Sequence, residues 1–161
     1  MRASHFSKDT QEFLLLLARH RVNYVIVGGE AVIYHGHARL TGDVDFYYEG
    51  SPENAARLYE ALNEFWSGVI PGLETPEELM EPGIILQFGV TPNRIDLLNS
   101  IDGVTFEEAW ANRVEVRTEI TGETVSVYFI GLNELIKNKQ AMKRPRDLED
   151  LKYLRKARGK R

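Results

Sequence analysis

Tyr24-Val25-Ile26-Val27-Gly28-Gly29-Glu30-Ala31-Val32, followed a short way on by Thr41-Gly42-Asp43-Val44-Asp45-Phe46, decides how the rest of the chain is read. Val22 to Val27 is almost wholly apolar and rich in β-branched residues, and it ends abruptly at two glycines, which predicts a buried strand. A helix is predicted to follow from Glu30 to Tyr34. Asp43 to Tyr48 alternates and predicts a second strand, in which Asp43 and Asp45 leave one face while Val44 and Phe46 point into the core. Two carboxylates so placed repel, and Asp is poorly suited to strands, so the pair calls for a cation. Mg²⁺ is the natural choice, with Mn²⁺ as the alternative, because it takes one or two carboxylates and completes its shell with water and substrate phosphates. Gly28 and Gly29 allow backbone N–H groups close to a triphosphate, beside the positive end of the helix that follows.

Outward from this stretch, residues 8 to 20 predict a helix that buries Phe13, Leu16 and Leu17, with His20 on the same face and Asp9 capping its start. Gly50, Ser51 and Pro52 separate the second strand from an amphipathic helix over about 53 to 65. Residues 84–90 and 93–98, split by Thr91-Pro92, predict a hairpin, and so do 114–120 and 124–130 around Thr121-Gly122-Glu123. A short helix is expected near 106–112, and two more over 132–142 and 148–157, with Pro145 between them. This order implies an α+β fold: a mixed sheet with helices on its faces, in which the first strand and helix units permit a parallel pair. A doubly wound dinucleotide-binding fold is disfavoured, since no third glycine follows Gly28-Gly29 and strand–helix alternation is not sustained.

At 161 residues the chain is expected to form one domain, residues 1–161, ending in a basic helical segment, residues 132–161. From Lys137 to Arg161 there are 11 Lys and Arg against 3 Asp and Glu, while the whole chain carries -4, so a basic segment follows an acidic body. Such a patch attracts phosphate, or is simply a solvated helix with a loose end. With no cysteine, the chain has no disulfide, thiolate metal site or thiol nucleophile. No apolar run approaches the ~20 residues that cross a bilayer, and the N-terminus lacks an apolar leader, so a cytoplasmic protein without a membrane partner is expected.

A third carboxylate is expected on a neighbouring strand, where it would serve the metal and take a proton from an attacking hydroxyl. Asp96, flanked by Ile95 and Leu97, fits, with Asp102 as the fallback. The competing readings are structural. The Asp pair would mark a solvent-facing strand edge, and Asp96 would pair only with Arg94. Arg39 would either contact a triphosphate or neutralise the Asp pair, and Thr41 reads as a β-favouring residue before a ligand. His35 and His37 read as loop residues and not as a zinc pair. Trp66 and Trp110, with Phe65, Tyr47 and Tyr48, read as packing.

Taken together, these residues resemble the DNA polymerase β-like nucleotidyltransferase superfamily, whose signature is an apolar strand, Gly-Gly or Gly-Ser, about a dozen residues, and a paired Asp-x-Asp. More narrowly, residues 24–32 with Arg39-Leu40-Thr41-Gly42-Asp43-Val44-Asp45 look like the abortive-infection (AbiEii-like) toxin-type branch. Leu135-Ile136-Lys137-Asn138-Lys139 and Arg144-Pro145-Arg146-Asp147-Leu148 resemble its C-terminal pattern. The resemblance implies phosphate contact by Gly28, Gly29 and Lys139, nucleotide contact by Arg39 and Thr41, and metal ligation and catalysis by Asp43, Asp45 and Asp96. Gly29 stands where many relatives carry serine, and Arg146 where lysine is frequent. The implied activity is Mg²⁺-dependent transfer of a nucleotide from a nucleoside triphosphate to a hydroxyl of RNA (such as tRNA), protein or a small molecule, with an antitoxin as an expected partner. The alternative is an inactive module of the same fold that holds RNA or a partner protein on its basic helices.

Overall fold

The computed structural model describes residue 2 and residues 5–160. Six helices and six strands follow in the order α1 (Lys8–Arg19), β1 (Tyr24–Val27), α2 (Gly28–Tyr34), β2 (Val44–Tyr48), α3 (Pro52–Phe65), β3 (Ile85–Phe88), β4 (Ile95–Leu98), α4 (Phe106–Ala111), β5 (Val114–Ile120), β6 (Glu123–Phe129), α5 (Leu132–Met142) and α6 (Pro145–Gly159). A 3₁₀ turn, Pro76–Met80, precedes β3. The strands form one mixed sheet in the order β3-β4-β2-β1-β6-β5, so the α+β expectation holds.

Both predicted hairpins are present, β3 with β4 and β5 with β6, each antiparallel. The second turns on two residues, Thr121 (φ 49°) and Gly122 (φ 82°), both left-handed as a tight twisted hairpin requires. The parallel pairs lie elsewhere than expected. β1 and β2 run antiparallel despite the intervening helix, and the parallel neighbours are β2 with β4 and β1 with β6. α2, seven residues long, and the loop after it turn the chain back along β1 instead of carrying it across the sheet. The consequence for the site is direct, because parallel β2/β4 pairing puts Asp45 opposite Asp96.

Two helix starts also differ from expectation. Ser7, not Asp9, caps α1, its hydroxyl accepting from the Thr10 N–H, while Asp9 lies inside the first turn where it favours the helix dipole. Pro145 opens α6 and does not separate two helices, since a proline at the first helical position surrenders an N–H that would have no partner there.

The core lies between the sheet and α1 and α3. Phe13 of α1 meets Phe46 of β2 edge-on at 5.2 Å and Phe65 of α3 at 5.4 Å, and both Phe13 and Phe46 are fully buried. Burying rings of this size contributes on the order of 2–3 kcal/mol each, so this cluster anchors β2 and with it the aspartates at its start. Tyr47 and Tyr48 donate their hydroxyls to the backbone carbonyls of Val104 and Leu79. Trp66 packs beside Phe65 and Phe88, and Trp110 beside Phe106 and Tyr128, as expected of packing residues. Among the described residues no helix is long and apolar enough to cross a membrane.

Candidate functional site

One open cleft of about 680 Å³ is bordered by Gly28, Gly29, Arg39, Thr41, Asp43, Asp45, Asp96 and Lys139, together with Arg94, Arg144 and Arg146. The predicted residues, drawn from four separate stretches, therefore meet at one place.

The glycine bend forms one wall. Gly28 takes a left-handed backbone (φ 65°), and a methyl group there would overlap the Asp45 carboxylate. A side chain at Gly29 would overlap the Thr41 hydroxyl and crowd the Arg39 guanidinium. Thr41 thus brings a hydroxyl to the point where a side chain at Gly29 would lie. Thr41 itself lies in the loop before β2 and not in a strand. The N-cap of α2 is Val27, which supplies no side-chain cap. First-turn N–H groups have no partner within their own helix, so a bound anion would satisfy them.

The acidic wall comes from β2 and β4. Asp45 faces Asp96 across the parallel pair. Asp43 sits one residue ahead of β2, tied by the Arg94 N–H to its Oδ1 (3.3 Å) and by the Thr91 hydroxyl to its Oδ2 (3.2 Å). Burial, then the charge of Asp96, a hydrogen bond with it, and the charge of Asp43 together push Asp45 up to about 7, while Arg94 opposes them. The expected repulsion is therefore realised. One cation, Arg94, serves this wall: its Nε and Nη2 donate to the two oxygens of Asp96 at 2.8 and 3.0 Å, and Nη2 is 3.2 Å from Asp43 Oδ2. Asp96 thus combines both expectations, being a member of the acidic trio and paired with Arg94. The pairing of Arg94 with Asp96 was foreseen from the sequence, but its contact with Asp43, made from one residue ahead of β4, was not.

The opposite wall is cationic and built on α5 and α6. Lys139, 2% exposed, reaches Asp147 (3.0 Å) and Asp150 (3.2 Å), both fully buried. Arg144 adds a bidentate contact to Asp147 from Nε and Nη2 at 2.8 and 3.2 Å. Burial works against ionisation of Asp147, but the hydrogen bonds from Arg144 and Lys139 outweigh it and hold the carboxyl at about 2. Arg39 is directed to Asp150, with Nε 3.0 Å from Oδ1, so it does not neutralise the Asp43–Asp45 pair. Lys139, for which the resemblance implies phosphate contact, borders the cleft with its ammonium committed to two carboxylates.

The remaining readings resolve simply. Asp102 lies in a turn, and its carbonyl accepts from Asn138 at 2.8 Å. His35 is buried with a ring nitrogen 2.7 Å from the Ile130 carbonyl, and His37 stacks on Tyr153 at 3.8 Å, so neither belongs to a zinc pair. Lys137 pairs with Glu108 at the surface. Among the described residues no three acidic or histidine side chains are arranged to hold a metal ion on protein ligands alone. The donor set nevertheless fits Mg²⁺, which needs only one or two carboxylates when phosphates and water complete the shell. Ligation by all of Asp43, Asp45 and Asp96 would require the Arg94 guanidinium to leave.

Comparison with curated proteins finds no match. Among solved structures, a Thermotoga maritima protein provisionally named a nucleotidyltransferase superposes with a TM-score of 0.52 at 17% identity, covering 100% of this chain and 97% of the other. At that identity the likeness concerns the fold. A family model described as "Nucleotidyltransferase of unknown function (DUF6036)" matches residues 5–155, and the chain belongs to that family.

Proposed function

We propose that the cleft is the active site of a metal-dependent nucleotidyltransferase that moves a nucleoside monophosphate from a nucleoside triphosphate to an acceptor hydroxyl. The observation that carries this reading is the convergence, on one cleft, of an under-compensated carboxylate trio with a glycine bend whose helix start has no side-chain cap. Asp43 and Asp45 would hold Mg²⁺ or Mn²⁺, and the ion would supply charge neutralisation and Lewis-acid contact to the triphosphate. The backbone at Gly28 and Gly29 binds phosphate oxygens, with Thr41 adding a hydroxyl beside them. Asp96 accepts the proton of the acceptor hydroxyl as its oxygen bonds to the α-phosphorus. The bond to the β-phosphate oxygen breaks and pyrophosphate leaves. Catalysis on this route rests on positioning and charge, with no covalent enzyme intermediate.

The test is incubation with each labelled nucleoside triphosphate, Mg²⁺ and a cell extract, beside an Asp43→Asn/Asp45→Asn variant. Label should pass to one class of acceptor, RNA, protein or small molecule, with the wild type only. Transfer retained by the double variant sinks the reading. The narrower resemblance to abortive-infection toxins adds an antitoxin partner. Growth arrest on expression, relieved by a neighbouring gene and absent in the double variant, is its check.

A second reading has its own observation. α6 exposes Arg146, Lys152, Arg155, Lys156 and Arg158, of which Arg146 borders the cleft. A module that holds RNA on this surface would bind without Mg²⁺ and weaken steeply with salt, whereas nucleotide binding at the acidic wall would depend on the metal.

A further inference from the structure

The cation on the acidic wall is placed differently from every other cation bordering the cleft. Arg94 Nη2 lies 3.0 Å from Asp96 Oδ2 and 3.2 Å from Asp43 Oδ2, so a single nitrogen bridges two carboxylates from different strands. Asp43 Oδ2 is an oxygen that an ion held by Asp43 and Asp45 would take, and Asp96 Oδ2 is one that would accept the proton of an acceptor hydroxyl. A guanidinium and a divalent ion on the same carboxylate repel each other, so Arg94 at Asp43 opposes entry of the metal.

Arg94 can also leave. Its backbone is fixed, the N–H bonding Asp43 Oδ1 at 3.3 Å and the carbonyl accepting the Val44 N–H at 3.0 Å, continuous with β2/β4 pairing. Its side chain, by contrast, is 30% exposed and faces the open cleft. A change of side-chain rotamers therefore removes the guanidinium without disturbing either strand. Arg39 and Lys139 lack that freedom, being held by buried carboxylates. Across the same cleft lies the glycine bend, where a triphosphate would offer Arg94 the bidentate oxygen pairs that a guanidinium matches.

We propose that Arg94 is a displaceable counter-ion: in the nucleotide-free protein it occupies an Asp43 oxygen the metal requires and the Asp96 oxygens that would accept the proton, and on loading it turns to the triphosphate. The divalent ion then enters with the nucleotide and not ahead of it. This inference rests on the nucleotidyltransferase reading of the cleft, and its test separates the two.

Mn²⁺ binding to the full chain is measured by the electron paramagnetic resonance signal of the free ion, with and without a non-hydrolysable nucleoside triphosphate. Without nucleotide, Arg94→Gln and Arg94→Met should bind Mn²⁺ about tenfold or more tightly than wild type, since a neighbouring positive charge is gone. With nucleotide present, that advantage should shrink or reverse, because the variants lose a phosphate contact. Arg94→Lys, which keeps the charge but not the fork, should fall between and keeps the test decisive if the neutral variants fold poorly by circular dichroism. Wild-type affinity in folded Gln, Met or Lys variants, with binding lost in Asp43→Asn/Asp45→Asn, overturns the counter-ion role alone. Binding that survives in that double variant overturns both this role and the proposed active site.

Discussion

The two walls of the cleft contain the same chemical groups in opposite states. On α5 and α6, two fully buried carboxylates, Asp147 and Asp150, are served by Lys139, Arg144 and Arg39, and Asp147 is held at about 2. At β2 and β4, among the described residues, Arg94 is the cation in ion-pair contact with the trio, reaching Asp43 and Asp96 but not Asp45, and Asp45 is pushed up to about 7. The charges of the first wall are balanced by the protein itself, although Asp150 Oδ1 and Arg39 Nε are left without a hydrogen bond. The second lacks positive charge, and a divalent ion bearing phosphates is the kind of ligand that would supply it. Burial alone does not separate structural from functional charge here; the balance of partners does.

The sharpest way to break this contrast is to damage the satisfied wall. Asp147→Ala leaves Lys139 buried without its nearest partner and should cost about 3–5 kcal/mol, read as a lower urea midpoint with an unchanged slope. The matching change on the acidic wall should do the reverse. Asp45 retains a proton up to about pH 7 in the folded chain but loses it near 3.8 when unfolded, so wild-type stability falls as pH rises through that window. Asp45→Asn should therefore be more stable than wild type by roughly 2 kcal/mol at pH 8, with the difference gone near pH 4, while transfer activity is lost.

Gly28→Ala should cost about 1–2 kcal/mol for its left-handed backbone and, by displacing the Asp45 carboxylate, weaken nucleotide binding more than it weakens the fold. Acid titration sharpens the comparison from the other side. The contribution of Asp147 is complete above its unfolded value near 3.8 and is lost as pH falls toward 2, so Asp147→Asn should flatten the acid limb of a stability–pH curve. The smallest effect belongs to Glu149→Gln, on the same helix but paired only with exposed Lys152 at 3.7 Å, which should change stability by no more than about 0.5 kcal/mol.

Sequence alone revealed the acidic wall more fully than the cationic one, and the reason is range. Asp43 and Asp45 are two apart in a strand, so their common face follows from a period of two, and the apolar flanks of Asp96 put it in a neighbouring strand. The hairpins at Thr91-Pro92 and Thr121-Gly122 are local, and both formed. The antiparallel run of β1 and β2 was hidden because their connection is long enough for either direction, so no local spacing decides it. Lys139 with Asp147 is a contact across a helix turn and a loop, and Arg39 with Asp150 spans most of the chain, so no spacing rule announces either. The crowding at Gly29 was hidden for the same reason: the neighbour is Thr41, twelve positions on and adjacent only after β2 folds back beside β1.

The most direct test is a crystal grown with Mn²⁺ and a non-hydrolysable nucleoside triphosphate, with the metal located by its anomalous scattering. The predicted peak lies about 2.1 Å from carboxylate oxygens of Asp43 and Asp45, with triphosphate over Gly28 and Gly29. A nucleotide bound elsewhere, or bound here with no metal at either aspartate, would contradict the account.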